Sequence, residues 1–344
     1  MLFRSRKTSV SVATSKVERK RWRRFLCLPL SAKGTPMYGG QAVMEGVMMR
    51  SPSFWAVAVR KPNGQLTDVW KPIDSPMKRH WFYRLPVIRG VMALGESLGI
   101  GFRALAISAN FAAEGDDDEE GFELGGWAIA GMFVFAIAFA VGLFKVSPAV
   151  ITRLLAVKGV WFVLVEGAIR VSILVLYMLL VSLIPDLRRV FAYHGAEHKT
   201  INAFEAKEEL EPKKVMPYSV IHPRCGTAFL LWVMVLAIFV YAFIYFLFGG
   251  LDWYWLIATR IVMLVPIAGL AYELIRFAGK HRRSRVLAAL LAPGLWLQRL
   301  TTREPDLDQV EVAIAAFTRV YELENEHVAN VEAGASERPI DIMA

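Results

Sequence analysis

Cysteine is nearly absent from this chain: Cys27 and Cys225 are the two in 344 residues. That excludes a disulfide-stapled secreted scaffold. The first 35 residues lack the apolar core of roughly 7–15 residues that a cleavable signal peptide needs, so none is expected. Proline (16) and glycine (25) are too ordinary for a collagen-like or low-complexity chain. Acid is scarce at one end. Residues 1–35 hold ten Lys/Arg against Glu18 alone, which accounts for the whole net charge of +9. The other residues balance at 30 basic and 30 acidic, so the pI of about 9.6 belongs to a basic arm. A disordered arm beside anionic lipid is expected. Nucleic acid remains open as a partner, although no aromatic or Gly-rich pattern accompanies the charge.

Apolar residues are abundant, at 55% with a mean hydropathy of +0.40. Four runs are long enough to cross about 30 Å of hydrocarbon. They are Leu124–Phe144, Val160–Ile184, Thr227–Phe248 and Trp253–Ile275, the second holding Glu166 and Arg170 and the fourth Arg260. Lys and Arg number 19 in residues 1–123, three in 145–159, seven in 185–226, none in 249–252 and nine in 276–344. The positive-inside rule then places both termini and the 185–226 loop in the cytoplasm of a cell-membrane protein. The expected fold class is an α-helical membrane protein with four transmembrane helices, amphipathic interfacial helices and a small N-terminal β-hairpin region.

Four regions follow from this pattern. Residues 1–35 form the arm, and 36–123 a cytoplasmic N-terminal region. Residues 124–275 form the four-span domain with its 185–226 loop, and 276–344 a cytoplasmic C-terminal region. Within 36–123, Phe54–Arg60 and Gln65–Trp70 flank Pro62-Asn63-Gly64 and read as one hairpin. Apolar residues at helical spacing over 87–109 predict an amphipathic helix. Glu114–Glu123 reads as an acidic linker and Lys280–Arg285 as a headgroup anchor. Val286–Leu300 is interfacial or re-entrant because it is short and holds Pro293-Gly294. A last helix is expected near 307–328, capped by Asp306, with Val310, Ile314, Phe317 and Tyr321 on one stripe. A faint repeat pairs Arg84–Val91 with Arg153–Val160 at an offset of 69, too short to establish duplication.

The chemistry concentrates in the loop between spans two and three. His194 and His198 are i, i+4 on a predicted helix, close enough for one metal, and Glu197 leans to the same side. This H-x-x-E-H order is that of inverse zincins, whose glutamate acts as a general base on metal-bound water. His222 and Cys225 supply a short H-x-x-C spacing just before span three, and Glu205 is a further oxygen donor. If Cys225 ligates with three histidines, the four donors suit structural zinc. If it does not, three histidines and a water suit catalysis. Arg224 is placed to steady an oxyanion or phosphate.

Two further clusters stand out. Glu166 and Arg170 are i, i+4 on span two, and Arg260 on span four lies at similar depth. Such ionisable groups form either an ion-pair network or a substrate or proton pathway. The string Tyr38–Arg50 offers three glycines for tight turns or close approach to a ligand, with Glu45 as an extra acid or ligand. Its Met44, Met48 and Met49 read as packing rather than as copper ligands.

GGQAVMEGVMMR, YHGAEHKTINAFE and HPRCGTAFLL, in this order around four apolar runs, resemble the YqhQ-like family. That bacterial family of unknown function, with plastid relatives, is sometimes labelled a predicted metal-dependent enzyme. The resemblance covers roughly residues 36–325 and implies functional roles for Glu45, His194, Glu197, His198, Glu205, His222 and Cys225.

The expected function is a membrane hydrolase, with zinc or another divalent transition metal on His194, His198 and His222. Glu197 is its base and Arg224 its anion contact. One alternative is a non-enzymatic scaffold in which zinc on His194, His198, His222 and Cys225 organises a partner surface. The other is a transporter using Glu166, Arg170 and Arg260, which with four spans requires a homo-oligomer. Membrane lipids are expected partners in every case.

Overall fold

A computed structural model of the chain describes residues 37–78, 80–113, 126–223, 225–280 and 285–332. The basic arm, the acidic linker, Arg224 and residues 281–284 of the expected headgroup anchor lie outside the described residues.

The N-terminal region forms more than one hairpin. Strands β1 (Gly39–Val43), β2 (Gly46–Arg50), β3 (Phe54–Arg60) and β4 (Leu66–Pro72) make an antiparallel meander in the order β1-β2-β3-β4. The glycine-rich motif is the first hairpin. Val43 pairs with Gly46, and Glu45 takes φ 50° in the turn between them. Helix α1 (Ile88–Ala113) covers one face of the sheet, where Ile100 and Ala104 pack with Val43, Met48, Trp55, Val57 and Val59. Met48 and Met49 are thus core residues, while Met44 is exposed.

The next helices are α2 (Gly126–Val141), a π-helical turn at Gly142–Val146, α3 (Ser147–Leu154) and α4 (Val160–Leu183). After them come α5 (Pro185–Glu205), the single turn α6 (Pro212–Val215) and α7 (Gly226–Phe248). The chain closes with α8 (Trp253–Val262), α9 (Leu264–Lys280), α10 (Arg285–Thr301) and α11 (Leu307–Glu332). Among the described residues, four helical stretches are long and apolar enough to cross a membrane: Ile88–Ala112, Val134–Leu154, Val160–Leu183 and Gly226–Phe248. The pair α8–α9, bent by 40°, passes the same test jointly. These helices fit a membrane protein.

Two expectations change. The first apolar stretch runs on to Leu154, not Phe144, because Lys145 is buried inside the bundle instead of ending the run in a loop. The last run is broken at Met263: Pro266 has no N–H, and its ring crowds the carbonyl four residues earlier, that of Val262. The 286–300 segment, expected as interfacial or re-entrant, is one continuous helix that contains Pro293, with Gly294 seated on Ala228 of α7, and its place relative to a membrane is not fixed by this. The faint repeat has one backbone counterpart. Val87 (φ 69°) and Ala156 (φ 55°) occupy equivalent positions, each shortly before a helix.

Helix α11 packs on the other face of the sheet together with α5. Val310, Ile314 and Phe317 join Val47, Met49, Ala56, Ala58, Tyr193, Ala196 and Ile201 in one buried cluster. At the start of α11, Gln309 accepts the Asp306 N–H at 3.0 Å, the return half of a capping box. Glu324, fully buried on α11, accepts the Ser51 hydroxyl at 2.6 Å and both the N–H and hydroxyl of Ser53 at 3.1 Å. The turn between β2 and β3 is thereby tied to the C-terminal helix.

Candidate metal centre

The centre is built on α5, on the segment leading into α7, and on the end of α10. His194 and His198 stand one turn apart with ring centroids 4.4 Å from each other. Cys225 precedes the first residue of α7 and brings Sγ to 3.3 Å from His194 Nε2. One ligand atom from each of His194, His198 and Cys225 lies within 4.8 Å of the other two. Bonds of about 2.0 Å to nitrogen and 2.3 Å to sulfur hold tetrahedral donors roughly 3.3–3.8 Å apart. The Cys225–His194 separation already falls in that range, and the other donor pairs lie within 4.8 Å.

The backbone fixes both tautomers. His194 Nδ1 is 2.8 Å from the Thr301 carbonyl, and His198 Nδ1 is 2.6 Å from the Val220 carbonyl. A carbonyl only accepts, so each Nδ1 carries the proton and each Nε2 keeps its lone pair. Metal-ligating histidines are oriented in this way by their outer partners. The partners are themselves held. Lys199 donates to the Met216 carbonyl at 2.5 Å and the Tyr218 carbonyl at 2.7 Å, and Asn202 donates to those of Ser219 and Ile221. The HKTIN stretch is therefore a row of grips on the loop that delivers Cys225.

His222 stands beside the triad, outside it. Its ring centroid is 5.8 Å from that of His198, and its Nε2 is 3.7 Å from Glu205. Gln298, fully buried on α10, clasps its backbone, accepting the His222 N–H at 3.0 Å and donating to its carbonyl at 2.8 Å. The sequence reading placed His222 in both ligand sets. The described geometry groups Cys225 with the two histidines instead, giving three close protein donors.

Glu197 is buried and lines the same cavity as the triad. Burial pushes its carboxyl up to about 7, against the opposing influence of His194 and of the nearby Gly40 backbone. Its Oε2 has no hydrogen-bond partner among the described residues. Gly40 is the close approach that the glycine-rich motif provides: a Cβ there would lie 2.6 Å from the Met48 carbonyl and 2.9 Å from Glu197 Cδ. The cavity holds about 280 Å³ and is lined by His194, Glu197, His198, His222 and Cys225 together with apolar Met48, Leu94, Ile201, Phe229 and Ile275. Arg50 and Arg276 also line it.

The remaining candidates lie elsewhere. Glu45 is drawn away from the triad: it pairs with Arg189 and accepts from the Tyr193 hydroxyl at 3.3 Å, fastening the β1–β2 turn to α5. Arg224 falls outside the described residues. Glu166, Arg170 and Arg260 meet inside the helical bundle, where Arg260 Nε lies 2.9 Å from Glu166 Oε1. Gln298, Lys199, Asn202 and Gly195 escape the sequence reading as site residues. The signal available was a lone Gln in an apolar stretch and the polar string following His198.

The family described as "Protein of unknown function (DUF1385)" matches residues 85–323. The chain is 32% identical over 305 residues to "Uncharacterized protein YqhQ" of Bacillus subtilis (strain 168), covering 85% of this chain and 94% of that protein. No solved structure matches the chain significantly. The histidine-bearing helix and the Cys225 segment both fall within the matched span, and the chain belongs to the YqhQ-like, DUF1385 family of unknown function.

Proposed function

We propose that the protein is a metal-dependent hydrolase that acts on an amphiphilic ester or amide at the cytoplasmic face of a membrane. The observation that carries this reading is the convergence of His194, His198 and Cys225, with both Nε2 lone pairs available, on a cavity that also holds buried Glu197. Two imidazoles and a thiol suit zinc. His194, His198 and Cys225 would hold the ion, and zinc bound by three protein donors would supply an acidified water for hydrolysis. Glu197 takes up a proton at its unpartnered Oε2 and returns it to the leaving group. The apolar part of the lining, with Leu94 from α1, Phe229 from α7 and Ile275 from α9, suits an acyl chain.

Packing supports the membrane topology. The sheet, α5 and α11 share one buried cluster, so all three lie on the same side of any bilayer. With α2–α3 and α4 as two crossings and α7 and α8–α9 as two more, parity leaves α1 and α10 on that side. The charge balance of the loops makes it the cytoplasmic side.

A Cys–His nucleophile pair is a second reading, favoured by the 3.3 Å between Cys225 Sγ and His194 Nε2. It leaves the oriented Nε2 of His198 without a task, whereas a metal uses it. Purified protein is tested by ICP-MS beside the His194→Ala/His198→Ala variant, with p-nitrophenyl acyl esters as hydrolysis probes. One zinc per chain, lost in the variant, and zinc-dependent turnover are expected. A folded protein without stoichiometric metal overturns the reading. Zinc with neither turnover nor sensitivity to Glu197→Gln leaves the zinc-stabilised scaffold.

A further inference from the structure

A second polar cluster lies within the helical bundle. Glu166 and Arg170 on α4, Arg260 on α8 and Lys145 in the π-helical turn are all buried. Glu166 accepts from Arg170 and from Arg260, whose Nε sits 2.9 Å and 3.1 Å from its two oxygens. Arg170 Nε donates to the Phe144 carbonyl at 3.1 Å. The three cations gather around the Tyr241 ring, at 4.3 Å for Arg260, 5.3 Å for Arg170 and 5.9 Å for Lys145.

One carboxylate thus faces three basic groups. Two of their buried donors, Lys145 Nζ and Arg170 Nη1, have no hydrogen-bond partner among the described residues. Burying unpaired cations is costly, and the stable arrangement supplies an anion. A cavity of about 380 Å³ reaches Arg260 and Tyr241 and is also lined by Arg153, Lys158, Asp252 and Trp253. At its rim the Arg153 guanidinium lies over the Trp253 ring at 4.8 Å.

We propose that this cavity and the cluster beside it bind a phosphate group, carried by free phosphate or by the headgroup of an anionic lipid. Arg153, Lys158 and buried Arg260 line the space, and Arg170 and Lys145 stand behind Arg260 around Tyr241, so the cavity offers the multiple N–H donors that tetrahedral oxyanions accept against the single lining acid Asp252. The cavity is larger than a bare ion requires. The site shares no residue with the histidine centre, so either proposal can fail without the other.

The test is thermal unfolding of the full chain in detergent. Sodium phosphate is compared with sodium chloride at matched ionic strength, and phosphatidylglycerol with phosphatidylcholine micelles. A saturable rise in Tm of several degrees is expected with phosphate, with phosphatidylglycerol or with both. Phosphate alone identifies a free anion as the ligand, and phosphatidylglycerol alone identifies a lipid. Lys145→Met should diminish the rise and, without added anion, unfold at a higher temperature than the unsubstituted protein, because excess buried charge is gone. Should Lys145→Met not fold, Arg153→Gln/Lys158→Gln at the exposed rim should weaken the rise and leave the anion-free Tm unchanged. No anion-specific rise, or an undiminished rise in the variants, overturns the proposal.

Discussion

Gly40 and Glu197 touch where the edge of the sheet meets the histidine helix: a Cβ on Gly40 would lie 2.9 Å from Glu197 Cδ, so no side chain fits between them. Gly40→Ala must push β1 away from α5, at a cost of about 1–3 kcal/mol. Zinc content should survive, because no donor moves with β1, while turnover falls at least tenfold. ICP-MS and ester hydrolysis on one preparation check this pairing of outcomes.

Glu197→Gln keeps the shape and removes the base. Zinc should remain at one per chain while hydrolysis drops by about 10²–10⁴-fold, the usual contribution of a positioned general base. Unchanged turnover would remove Glu197 from the role of base.

Cys225→Ser separates the two chemistries proposed for the thiol. In the metal reading, zinc is lost at chelator concentrations that spare the unsubstituted protein, and added zinc restores part of the turnover. A Cys–His nucleophile instead predicts complete loss of turnover that zinc does not restore. Competition against a chromogenic chelator gives the readout.

Gly195 lies inside the histidine motif for a packing reason. A Cβ there would sit 2.0 Å from the Arg303 carbonyl, and the Arg303 N–H donates to Phe191 at 2.9 Å. Gly195→Ala should drive residues 301–303 outward and take the Thr301 carbonyl from His194 Nδ1. Zinc affinity is expected to fall by about 10–100-fold, as when an outer partner of a ligand is removed. Isothermal titration of metal-stripped protein measures it.

Gln298→Leu removes both hydrogen bonds that clasp His222 and leaves its backbone groups buried without them. A loss of about 1–3 kcal/mol in stability is expected. Thermal unfolding should show it in metal-free protein as well, since His222 lies outside the donor triad.

The sequence reveals what local rules govern. His194 and His198 share a face because helical spacing requires it, and the Val310–Phe317 stripe reaches the core for the same reason. Contacts decided by distant parts of the chain stay hidden. Whether His222 or Cys225 completes the triad depends on the path of the 206–225 segment, which Lys199 and Asn202 set from α5. The glycine-rich motif invites a ligand loop, yet its pairing partner β3 makes it a strand pair and turns Glu45 towards Arg189. Lys145 resembles the end of a span because a hydropathy count cannot foresee burial beside Glu166, Arg170 and Arg260.

The joint cluster of sheet, α5 and α11 also sets an order of assembly. His194 takes its orientation from Thr301, and the core beneath it is closed by residues as late as Val320. A ribosome therefore releases the histidines well before their support exists. The nascent chain carries all its apolar helices before it carries a finished centre. If the centre binds metal as proposed, it does so only after residue 301 is made, and a chain stopped before that residue would lack the carbonyl that orients His194.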